Sequence, residues 1–147
     1  LLHRRVVRVG GSAIQIPMSD FRAALNELPV LHAILYRYVG VVLMQTSQSG
    51  ACNSAHRLKQ RLARWLLLAR SGLQRNELPL THLTLAGLLG VRRASVTECL
   101  EILQRERVIE TSRNLIVIKH PELLKSLCCD CFRLMEREYE RSVGQGL

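Results

Sequence analysis

The sequence predicts a mainly α-helical protein with a small β wing. Three observations carry that reading. Leu31, Leu35, Tyr38, Val42, Gln45 and Ser49 fall near a 3.5-residue seam in a long stretch from Pro29 to Ser54. Apolar residues recur at helical spacing through 58–69 and again through 85–103. One strand-turn-strand pattern, "VIETSRNLIVIKH", has its turn at Ser112, Arg113 and Asn114. A chain of 147 residues that is 48% hydrophobic is long and apolar enough to bury one core, so it is not a disordered tail.

The chain begins at Leu1 with "HRRVVRVGGSAIQIP", which reads as strand, Gly-Gly turn, strand. Two strands alone are marginally stable, so residues 1–18 are expected to be the last hairpin of a larger sheet. Ser19 or Asp20 is expected to cap a short helix bearing Phe21, Leu25 and Leu28. Pro29 then suits the first turn of the long helix, about 39 Å at 1.5 Å per residue. Its N-terminal half is apolar on most sides, so more than one face needs a cover. Leu58, Leu62, Trp65, Leu66 and Ala69 form the buried stripe of the next helix. Arg57, Lys59, Arg61, Arg64 and Arg70 are expected on its solvated face, and Gly72 is expected as its C-terminal cap. "QRNELPL" reads as a loop. Thr81 caps a short helix that ends at Gly90, a second runs from about Arg93 to Arg107, and Pro121 opens a last helix to about Val143.

Net charge is +9, from 21 Lys and Arg against 12 Asp and Glu, with five His taken as neutral. That permits a polyanionic partner without choosing between nucleic acid and an anionic membrane. The longest apolar stretch, Pro29 to Met44, is broken by His32 and Arg37 and is too short to span a bilayer. No secretory signal pattern is visible, and five cysteines make an odd number. Reduced thiols in the cytoplasm are therefore expected. Aromatics at 4% argue against a base-stacking sheet for single strands. No P-loop, nucleophile elbow or GxGxxG pattern supports an enzyme, and His3, His32, His56, His82 and His120 are too scattered for catalysis.

The stretch "LAGLLGVRRASVTECLEIL" meets the packing demands of a helix-turn-helix. Ala86 is small where the two helices meet, and Gly90 can take the positive φ of the turn. Leu85, Leu89, Val91, Val96, Cys99 and Leu100 plug the inside of the corner. The second helix opens with Arg92, Arg93, Ser95, Thr97 and Glu98. These are residues that can bond guanine edges, phosphates and cytosine N4 in a major groove. The hairpin that follows, with Arg113 at its tip, makes a wing.

Residues 56–120 resemble the winged helix-turn-helix domain of the Crp/Fnr family of bacterial transcription regulators. "RLARWLLLAR", "LPLTH", "LAGLLGVRRASVTECLEILQRERVIE" and "LIVIKHPELL" stand in that family's order. The resemblance implies three parts: 1–18 a remnant of the effector-binding β-roll, 19–54 a short helix plus a long dimerisation helix, and 55–147 the winged helix-turn-helix domain with a C-terminal helix. It implies a C-terminal portion of a homodimeric regulator on double-stranded DNA at a two-fold symmetric site, with RNA polymerase a further candidate partner and no membrane. By matching positions, Arg93, Ala94, Thr97 and Glu98 would face bases. Thr81, His82, Arg92, Ser95 and Arg113 would face phosphates. Leu31, Leu35, Tyr38, Val42, Gln45 and Ser49 would form the dimer seam. The chain departs from the family's pattern at Ala94, often acidic, and at Thr84, where some members carry a capping Glu. No cofactor is assigned to these residues, and the effector of the missing domain stays unnamed.

Two rival readings follow from the same residues. One is a dimerising protein-interaction module without DNA binding. The other is a thiol- or metal-responsive regulator acting through Cys128, Cys129 and Cys131. A zinc site wants four ligands, usually in two pairs. The "CCDC" run is expected on one helix, with Cys128 and Cys131 packed on the core, Cys129 pointing elsewhere, and no second pair, so no metal ligand is assigned.

Overall fold

A computed structural model describes residue 7 and residues 9–144. Helix α1, Met18–Glu27, meets α2, Pro29–Ala55, at a bend of 110°. Leu28 is the hinge, and Pro29 starts α2 because its missing N–H is an orphan donor there in any case. The cap of α1 is Pro17, with no side-chain bond to the helix. Ser19, expected as a cap, instead donates its hydroxyl to Asp20 Oδ1 at 3.0 Å inside the first turn. No single helix among the described residues is long and apolar enough to cross a membrane.

The expected hairpin over residues 1–18 is not formed where it is described. Residues 9–17 carry no strand, and Ile14 is 94% exposed. A ladder needs partner strands and an apolar face to cover, and this segment has neither. The rest of that expectation, residues 1–6 and 8, lies outside the described residues.

Helix α3, Leu58–Leu73, follows after the extended residues His56 and Arg57. Leu62, Leu66 and Leu67 are buried as the pattern requires, and Trp65 is half-buried against the same core. Its end corrects the expected cap. Gly72 lies within the helix, and Gln74 takes the left-handed conformation (φ 52°). The charged face is corrected too. Arg64 is fully buried and Arg61 nearly so, because α2, α4 and α7 converge on that side and leave it no solvent.

The expected loop after α3 contributes a short strand, β1, Glu77–Leu78. It pairs antiparallel with β3, Leu115–Ile118, which also pairs with β2, Ile109–Ser112, giving the order β1-β3-β2. Between β1 and β2 lie α4, His82–Leu89, and α5, Arg93–Arg105. Leu78, Ile109, Ile116 and Ile118 present one buried sheet face to Leu62, Leu66, Leu85, Leu100 and Leu103. At about 1.5–3 kcal/mol for each fully buried aliphatic side chain, this cluster is the main source of stability.

The last helix is also corrected. It breaks into α6, Pro121–Ser126, and α7, Cys131–Val143. Helix α6 packs on α3, whereas α7 packs mainly on α2 and also touches α3. The break carries Cys128, Cys129 and Asp130. Cys129 and Cys131 are therefore buried together against Cys52 of α2, while Cys128 is half-buried.

Candidate nucleic-acid interface

Thr81 caps α4 by accepting a hydrogen bond from Thr84 N–H at 3.0 Å. The two hydroxyls lie 2.9 Å apart, so Thr84 occupies the place a capping Glu would take. Helix α4 ends at Gly90, whose φ of 65° lets Val91 N–H return to Ala86 C=O at 3.1 Å. A Cβ at Gly90 would meet nothing within 4 Å, so the glycine is there for its backbone and not for space. Leu85, Ala86, Leu89, Val96 and Leu100 are buried inside the corner, as their spacing predicts. Val91 and Cys99 close its edge, and burial pushes the Cys99 thiol up, with Glu98 adding to the rise.

Arg92 precedes α5 in an extended conformation, and no side chain caps the helix. The N–H groups of the first turn therefore keep their positive field open to an outside anion. Arg92, Arg93, Ala94 and Glu98 are exposed, and Ser95 and Thr97 are half-buried. The Thr97 hydroxyl is already engaged. It donates to Arg93 C=O at 3.1 Å and lies 2.9 Å from His82 Nδ1. The pair holds the start of α4 against α5, which no spacing in the sequence signalled.

The wing reaches the same surface. Thr81, His82, Leu83, Arg93, Ser112, Arg113 and Asn114 line one concavity of about 390 Å³. Asn114 turns the wing with a φ of 62°, a left-handed conformation that Asn tolerates better than most residues. Arg92, Arg93 and Arg113 form no ion pair among the described residues, whereas Lys59, Lys119 and Arg141 are each matched to a glutamate. Leu83 is 69% exposed beside them. Two unmatched guanidinium groups, Arg93 and Arg113, on a concave, partly apolar floor, with Arg92 exposed at the start of the same helix, suit a charged, grooved polymer.

Arg61 joins this unit to the long helix. Its guanidinium donates to Leu89 C=O, at the C-terminal end of α4, and its Nε donates to Asn53 Oδ1 on α2 at 3.1 Å. The negative end of the α4 dipole meets a cation there. Sequence reasoning placed Arg61 on a solvated face.

On α2, Tyr38 and Val42 are exposed, and Leu31, Leu35 and Gln45 are half-buried. Ser49 is occupied within the chain, accepting from Arg64 at 3.0 Å. Tyr36, Val39 and Leu43 add a second exposed apolar strip, with Tyr36 74% and Leu43 64% exposed.

A family model described as the Crp-like helix-turn-helix domain matches residues 60–127. An Eubacterium rectale protein described as a transcriptional regulator of the Crp/Fnr family is 25% identical with a TM-score of 0.57, over 76% of this chain and 52% of that one. Thermus thermophilus catabolite activator protein aligns at 23% identity and a TM-score of 0.45, over 74% of this chain and 51% of that one. The chain spans about half the length of these structures. No curated protein matches it. Residues 60–127 accordingly match the Crp-like helix-turn-helix domain, and the chain's fold is similar to that of a transcriptional regulator of the Crp/Fnr family.

Proposed function

We propose that this chain binds double-stranded DNA as a homodimer, one α5 entering the major groove of each half of a two-fold symmetric site. The observation that carries the reading is the concavity shared by Arg93, the cap of α4 and the tip of the wing. Arg93 at the start of α5 suits guanine O6 and N7, and Glu98 suits cytosine N4. Ala94 offers a methyl group to thymine and no hydrogen bond. Arg92, Ser95, Thr81, His82 and Arg113 suit backbone phosphates, with Arg113 reaching the next stretch of strand. Thr97 supports α5 through His82 before it contacts any base.

The dimer reading rests on the exposed apolar residues of α2. Leu31, Leu35, Tyr38, Val42 and Gln45 would form the seam with a second copy, while Ser49 serves Arg64. A two-fold axis along the 27-residue helix would set the two α5 helices about one DNA turn apart, near 34 Å. Five free cysteines suit a reducing compartment such as the cytoplasm. Selection from random duplex DNA tests the reading. An inverted repeat whose half-site centres lie one turn apart is expected, with two chains bound per duplex by analytical ultracentrifugation. A direct or single half-site bound by one chain would refute the dimer. No enrichment would favour a protein-interaction module.

A further inference from the structure

Cys52 lies in the last turn of α2, and His56 stands four residues later at its end. Cys129 lies in the break before α7, and Cys131 is the first residue of α7. The fold brings these two pairs together. The Cys52 and Cys129 sulfurs are 3.5 Å apart, and Cys131 Sγ is 3.6 Å from His56 Nδ1. All four donor atoms lie within 4.8 Å of one another. A tetrahedral zinc ion takes sulfur at about 2.3 Å and imidazole nitrogen at about 2.0–2.1 Å, which sets the edges of its ligand tetrahedron at roughly 3.5–3.8 Å. Two edges already have that length, and the wider ones would draw in on the ion.

The surroundings fit the same group. Cys52, Cys129 and Cys131 are buried and His56 is half-buried, so the cluster is closed. Gln48 Nε2 donates to Cys131 Sγ at 3.1 Å, the kind of outer bond that orients a ligating sulfur. Arg64, fully buried next to the cluster, has Nε and Nη2 without any hydrogen-bond partner. Among the described residues it pairs with no carboxylate. A buried cation with nothing opposite it is costly. Three thiolates and a neutral imidazole on a divalent ion carry one net negative charge, which supplies the missing counter-charge. Three sulfurs and one nitrogen also select a soft ion such as zinc over magnesium or calcium.

We propose that Cys52, His56, Cys129 and Cys131 form a closed tetrahedral zinc site that clips the start of α7 to the end of α2. The ion would fix the joint at His56 and Arg57, from which α3 and the rest of the helix-turn-helix domain depart. Cys128 and Cys99 are not ligands. Binding would release protons from the thiols.

The test uses the full chain in reducing buffer. After zinc loading and dialysis, elemental analysis is expected to give about one zinc per chain. Cobalt in its place is expected to give thiolate charge-transfer bands and the intense visible absorption of tetrahedral cobalt. Cys128→Ser and Cys99→Ser should keep both signatures. Gln48→Leu removes no ligand and should weaken zinc binding about 10–100-fold. Cys129→Ser should lose the tetrahedral spectrum. Should that variant not fold, alkylation of the native protein replaces it: zinc should protect Cys52, Cys129 and Cys131, and a chelator should expose them. Weak octahedral cobalt absorption, well under one zinc per chain, or equal loss in Cys128→Ser would overturn the site. So would a Cys52–Cys129 disulfide that persists in the reducing buffer.

Discussion

Arg61→Met tests whether the helix-turn-helix is tied to the long helix as the hydrogen bonds indicate. Methionine keeps most of the buried stem and removes the guanidinium. The substitution deletes the bond from Nε to Asn53 Oδ1 and the charge-assisted bond to Leu89 C=O. A hydrogen bond from a charged donor contributes about 1.5–3 kcal/mol, and an acceptor left buried and unpaired costs about 1–3 kcal/mol. Relief from burying the charge offsets part of this, so the net loss should be about 2–3 kcal/mol. For a chain of this size that corresponds to roughly 5–10 °C in Tm. Urea unfolding should show a lower midpoint with an unchanged slope. Combined with Asn53→Ala, the double variant should lose less than the sum of the two, by about 0.5 kcal/mol or more. A loss below about 0.5 kcal/mol for Arg61→Met, or strict additivity with Asn53→Ala, would refute the tie.

Gly90→Ala isolates backbone strain, because the added Cβ would meet no neighbour while φ stays at 65°. A cost of about 1–2 kcal/mol is expected by chemical denaturation, and a neutral result would mean the turn reshapes freely. Arg113→Ala should weaken binding to all duplexes alike and reduce the salt slope by about 1 in a fluorescence titration. A change in preferred sequence instead would assign Arg113 to bases.

Much of the fold was legible because its signals are local. Thr81, Gly90 and Pro121 mark helix ends through their own chemistry, and β3 is visible as a run of four apolar residues after a turn. The helix-turn-helix was the clearest of these, since its small residue, turn glycine and apolar plugs must all agree. Residues whose fate depends on distant partners were misread. Arg64 looks like any surface arginine until α2 and α7 enclose it. The break between α6 and α7 turns the chain from α3 toward α2, a long-range contact that no local pattern encodes. Cys52 and His56 stood four apart in plain view. They were not joined to Cys129 and Cys131 because that pairing spans about half the chain. At the interface, the arginines could be found from the sequence, but the bond between His82 and Thr97 could not.

The most direct test of the central claim is a salt titration of duplex binding by the wild-type chain and by Arg93→Ala. The duplex is the sequence selected by the wild type, compared with a scrambled control. Affinity of the wild type should fall steeply with salt. Arg93→Ala should lose about 1–3 kcal/mol on the selected duplex and less on the control. Equal affinity of the two proteins for both duplexes, or binding that ignores salt, would contradict the claim.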